Sequence, residues 1–62
     1  MSDFDFKLEF YDEDEKQRIQ AHYWQKNGRF YLQYDRENGT STKTKRISEA
    51  SFISAIEELY NA

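Results

Sequence analysis

Residues 19–34, IQAHYWQKNGRFYLQY, decide the fold. Ile19, Ala21 and Tyr23 alternate with Gln20, His22 and Trp24, the period of two of a strand with one dry face and one wet face. Asn27-Gly28 then signals a two-residue type I′ turn, whose central residues both need positive φ. Closing that turn sets Lys26 opposite Arg29, Tyr23 opposite Leu32 and Ala21 opposite Tyr34. The apolar sides of both strands then coincide, so turn chemistry and hydrophobic pattern agree.

The same logic extends in both directions. Upstream, Phe4, Phe6, Leu8 and Phe10 alternate with Asp3, Asp5, Lys7 and Glu9 as a first strand. The acidic run Asp12-Glu13-Asp14-Glu15 forms a loop, and the second strand runs from about Lys16 to Gln25. Setting Leu8 against Ile19 pairs Phe6 with Ala21, Phe4 with Tyr23, Glu9 with Arg18 and Asp5 with His22. Downstream, Asn38-Gly39 repeats the turn signal and places Phe30 opposite Ile47, Tyr31 opposite Arg46 and Leu32 opposite Lys45. The fourth strand, Thr40 to Ile47, reads as an edge, because Lys43 and Lys45 point to the dry side and discourage pairing with another chain.

Ser48 then caps a helix, with Glu49 in its first turn and a staple between Ile47 and Phe52. Phe52, Ile53, Ile56, Leu59 and Tyr60 form its apolar stripe. The expected architecture is an α+β domain over residues 1–62: a four-stranded antiparallel β-meander, order 1-2-3-4, with one C-terminal helix on one face (ββββα).

Composition bounds what such a chain can do. Sixty-two residues without cysteine must be held by apolar burial alone. Hydrophobic residues are 37% of the chain and aromatic residues 18%, and each buried ring removes roughly 150–250 Å² from water. Apolar runs of two or three residues exclude a transmembrane helix, and the acidic start lacks the features of a signal peptide. The expectation is a cytoplasmic protein, and Met1 with the compact layout suggests a complete gene product. Net charge is −3, but it is segregated. Residues 1–15 hold seven carboxylates against Lys7 alone, net −6, while residues 16–47 hold eight basic residues against Asp35 and Glu37, net +6.

Little in the sequence points to catalysis. His22 is the single histidine and, opposite Asp5, it reads as a surface pair on an open sheet rather than a general base. The Asp12–Glu15 run lacks the spacing and turn glycine of a calcium loop and reads as a solvated hairpin loop. No metal, cofactor or enzymatic activity is expected.

The wet face is the candidate binding surface. Trp24 and Tyr31 are cross-strand neighbours there, flanked by His22, Gln33 and Arg46, and Trp, Tyr and Arg are the residue types enriched in binding hot spots. Asp3, Asp5, Asp12, Glu13, Asp14 and Glu15 add an acidic end suited to steering toward a basic partner. In size and charge the chain resembles small acidic inhibitors of phages and mobile elements, including anti-CRISPR and anti-restriction proteins. That resemblance implies a protein partner with a basic surface. Residues 29–59, RFYLQYDRENGTSTKTKRISEASFISAIEEL, resemble integrase arm-binding and AP2-like domains, which lay a sheet in the major groove. The alternative it implies is nucleic-acid binding through Arg18, Gln20, Tyr31, Gln33, Thr42, Thr44 and Arg46. Against it, Asp3, Asp5 and Glu9 would share that face and repel phosphates. A homodimer through the first strand is a third reading, since that edge lacks inward charges.

Overall fold

The computed structural model describes residues 4–61, so Asp3 lies outside the described residues. Strands β1 (Phe6–Asp12), β2 (Gln17–Lys26), β3 (Arg29–Arg36) and β4 (Lys45–Ile47) precede helix α1 (Glu49–Asn61). The strands form one antiparallel sheet in the order β1-β2-β3-β4. This is the expected α+β architecture.

The central hairpin sets the frame. Asn27 and Gly28 have φ of 54° and 75°, both left-handed, as a type I′ turn requires. Lys26 pairs with Arg29, Tyr23 with Leu32 and Ala21 with Tyr34, as the turn dictates.

The first hairpin is two residues out of the expected register. Phe6 pairs with Tyr23, Leu8 with Ala21, Phe10 with Ile19 and Glu9 with Gln20. The loop keeps four residues but moves one place along the chain, from the expected 12–15 to 13–16, and is closed by the pair Asp12 and Gln17. Asp12 Oδ1 accepts from the backbone N–H of Asp14 (2.9 Å) and of Glu15 (3.3 Å), and Lys16 takes φ 54°. A slip of two leaves each side chain on its face, because the strand period is two. It does change partners: Lys7, not Asp5, stands opposite His22, and Tyr11 stands opposite Arg18.

The third connection departs differently. Gly39, with φ 93°, closes a three-residue loop: Arg36 N donates to Thr40 O (2.8 Å) and Gly39 N to Arg36 O (3.0 Å). Asp35 therefore meets Ser41, one residue off the register that holds from Leu32–Lys45 to Phe30–Ile47. Thr42 absorbs the difference. Its N–H donates to Tyr34 O (2.9 Å) while its Oγ1 accepts from Tyr34 N (3.0 Å), so a hydroxyl replaces a ladder carbonyl. The short edge strand expected within 40–47 is thereby confined to Lys45–Ile47, with the three expected pairs intact.

The helix caps as expected, with Ser48 Oγ accepting from Ser51 N at 3.1 Å. Phe52 is the side chain that anchors it to the sheet. Its ring centroid lies 4.7 Å from Phe30, 5.4 Å from Phe6 and 6.3 Å from Tyr23. Ile19, Ala21, Leu32, Phe52 and Ala55 are buried. The expected apolar stripe is partly corrected, because Ile53, Leu59 and Tyr60 are exposed, Tyr60 at 83%. Phe52 and Ala55 are the residues of the helix that are buried instead. Burial under the helix, then the neighbouring Tyr34 and Glu58, raise the Tyr23 phenol above its ordinary pKa.

Truncating Phe52 opens the centre of this packing. Phe52→Ala should cost about 3–5 kcal/mol, read as a large drop in the urea midpoint. A loss below about 1 kcal/mol would mean that the helix is not what holds the sheet.

Candidate functional site: the open face of the sheet

The side of the sheet opposite α1 carries a row of side chains running across the strands. Arg46 of β4 pairs with Tyr31 of β3, and Tyr31 pairs with Trp24 of β2. The Trp24 and Tyr31 rings stack at 5.7 Å with 24° between planes, both half-exposed. The expected pairing of these rings on the face away from the helix is thus present.

Phe4 extends the row, against expectation. The alternation of the first strand assigns it to the helix side, yet its ring lies 4.4 Å from His22 and 5.2 Å from Trp24, both on the open face. Asp5 is responsible. Its N–H still donates to Tyr23 O (2.9 Å), but its Oδ2 accepts from Gln25 N (2.9 Å). The carboxylate occupies the place that a main-chain acceptor would fill in a continued ladder. Pairing therefore stops, the chain bends at Asp5, and Phe4 crosses to the other side. Asp5 acts here as a strand terminator.

Phe4 also covers His22, which is only 9% exposed although it sits on the open face. The carboxylate beside His22 belongs to Asp35, with Nε2 2.8 Å from Oδ2. Among the described residues the buried Nε2 has no other polar partner than this carboxylate. Asp35 in turn accepts from Ser41 Oγ (2.6 Å) and Gln33 Nε2 (3.2 Å). The Ser41 bond first, then Gln33 and the facing imidazole, hold the Asp35 carboxyl below its ordinary pKa against the cost of burial. In a nucleophilic triad the imidazole lies between hydroxyl and carboxylate. Here the carboxylate lies between, and the Ser41 hydroxyl is spent on it. This cluster is a structural tie joining β2, β3 and the loop before β4.

The remaining expected site residues are dispersed. Asp12 caps its own loop, and Glu15 Oε1 accepts from Arg36 Nε (2.7 Å) and Gln17 Nε2 (3.0 Å). Glu13 and Asp14 are exposed. This acidic end flanks Gln17, seven residues along β2 from Trp24, or roughly 24 Å at strand rise. It does not adjoin the aromatic row. On the nucleic-acid side, Arg18 and Gln20 are engaged by Glu9, at 3.9 Å and 2.7 Å, and Thr42 by Tyr34. Among the described residues no group of three or more His, Asp or Glu is placed to hold a metal ion, and no helix is long and apolar enough to cross a membrane.

One of these relations was within reach of the residues alone. The Asn27-Gly28 register already places Asp35 opposite Gln20, diagonal to His22. The Phe4 crossing had no such signal, since it depends on one carboxylate finding one N–H.

Because Asp35 has a lowered folded-state pKa, its contribution to stability is complete above the ordinary aspartate range and lost as pH falls through the folded value. Asp35→Asn should therefore be less stable than wild type at about pH 6, with the gap closing toward about pH 2. Urea unfolding across that range checks this, and a gap independent of pH would discard the assignment. Compared with protein-family models, curated proteins and solved structures, the chain matches none significantly.

Proposed function

We propose that this chain is a non-enzymatic protein-binding module that docks through the open face of its sheet. The observation that carries the reading is the row Phe4, Trp24, Tyr31 and Arg46, left uncovered by the single helix. Aromatic and arginine side chains dominate binding energy when a partner excludes water from them. A half-exposed indole stacked on Tyr31 and in tilted contact with Phe4 has little side-chain freedom left to lose on binding. The exposed Glu13 and Asp14 lie at the other end of the sheet, where they suit a basic surface on the same partner. In this reading the protein works in the cytoplasm as a small inhibitor of the phage or mobile-element type, occupying a surface that its target uses for something else. Self-association through β1 is compatible with it, because strand edge and sheet face are different surfaces.

The aromatic row beside Arg46 also supports a second reading, a platform on which bases of a single strand stack. Glu9, Asp35 and Glu37 share or border that face and weigh against a polyanion.

One variant separates these readings. Trp24→Ala/Tyr31→Ala should keep the fold, since such a cross-strand pair contributes about 0.2–1 kcal/mol. It should lose binding by about 2 kcal/mol or more. Capture from lysate by wild type but not by the variant, unchanged by nuclease, is the expected result. Capture abolished by nuclease would replace the protein reading with the nucleic-acid one. Unfolding of the variant would assign both rings to the core instead.

A further inference from the structure

The two edges of the sheet are built differently. β4 is three residues long, turns Lys45 toward the helix side opposite Leu32, and follows the break at Thr42. Short length, inward charge and a broken ladder are the means by which an edge avoids recruiting another chain. β1 is neither short nor broken, and its one charge of helix-side parity, Asp12, stands at its last residue. It runs seven residues from Phe6 to Asp12 in unbroken register, has no glycine or proline, and has β2 as its one neighbouring strand. Its apolar helix-side residues are Phe6, Leu8 and Phe10. Phe10 stays 44% exposed although its partner Ile19 is buried in the core.

We infer that β1 pairs with β1 of a second copy, antiparallel and centred on Leu8, to make one eight-stranded sheet. A two-fold axis normal to the sheet keeps helix sides together, so each residue must meet one from the same face. Centring on Leu8 sets Leu8 against its own copy, each Phe6 against the second copy's Phe10, and each Lys7 against the second copy's Glu9. Apolar meets apolar on the helix side, and opposite charges meet on the open side, twice over. Centring on Lys7 or on Glu9 instead places like charges face to face. The exposed Phe10 ring gains a neighbour, and the open main-chain groups of β1 gain partners. Both aromatic rows then lie on one continuous surface, with both helices behind it.

The charge pairs allow a test that does not depend on the open-face reading. Wild type is sedimented from about 10 μM to about 1 mM, the range in which a small strand-edge interface populates. Dimer is expected to form. Lys7→Glu and Glu9→Lys each turn two attractive pairs into repulsive ones and should each weaken it by roughly tenfold or more. An equimolar mixture of the two variants restores both pairs and should regain wild-type association, while Trp24→Ala/Tyr31→Ala should associate as wild type does. Wild type that stays monomeric throughout overturns the inference, as does a dimer indifferent to either charge reversal or a mixture that fails to recover. If a charge variant does not fold, amide shifts of wild type on dilution decide instead. Changes concentrated in Phe6–Phe10 support the pairing, and changes confined to other elements overturn it.

Discussion

The type I′ turn at Asn27-Gly28 decides which side of the central hairpin is dry, and the other elements are placed by reference to it. With both turn residues left-handed, β2 and β3 can pair in one parity only, with Ile19, Ala21 and Tyr23 on the same side as Leu32 and Tyr34. β1 and β4 then add to a surface whose faces are already distinguished. The remaining requirement is a cover for the dry side, and one thirteen-residue helix supplies it. The described residues supply no second helix, so among them the opposite face is left uncovered, with the side chains it happens to carry.

That shortage of covering material makes the anchoring of the helix narrow. Phe52 touches rings from β1, β2 and β3, and Ala55 is buried as well. The rest of the apolar stripe, Ile53, Leu59 and Tyr60, finds too little sheet beneath it. At the acidic end of the sheet Phe10 keeps part of its ring in water. Size, more than hydrophobicity, sets how completely the core is closed.

Polar side chains do backbone work throughout the molecule. Asp5, Asp12, Thr42 and Ser48 each accept a main-chain N–H that has no regular partner, at a strand end, a hairpin loop, a ladder break and a helix start. Two of the acidic residues that look like a partner-facing cluster in one dimension are thus fasteners in three. Local competition for N–H groups also explains why Phe4 joins Trp24, since Asp5 ends the ladder a step before Phe4 would have entered it.

Alternation of residue type and the two Asn-Gly signals were enough to determine the strand order, the central register, the dry and wet faces, the capped helix and the Trp24–Tyr31 pair. These follow from short-range rules, namely the period of two along a strand and the φ requirement of a turn, so neighbouring residues carry the information. The two-residue slip of β1, the break at Thr42, the Phe4 crossing and the bond by which Ser41 closes on Asp35 beside His22 were decided only in the folded molecule. A slip of two preserves every hydrophobic contact class, so patterning is blind to it. The other three turn on which of several nearby acceptors reaches a given donor. Distances of a few tenths of an ångström settle that choice, and they exist only once the sheet has brought its strands together.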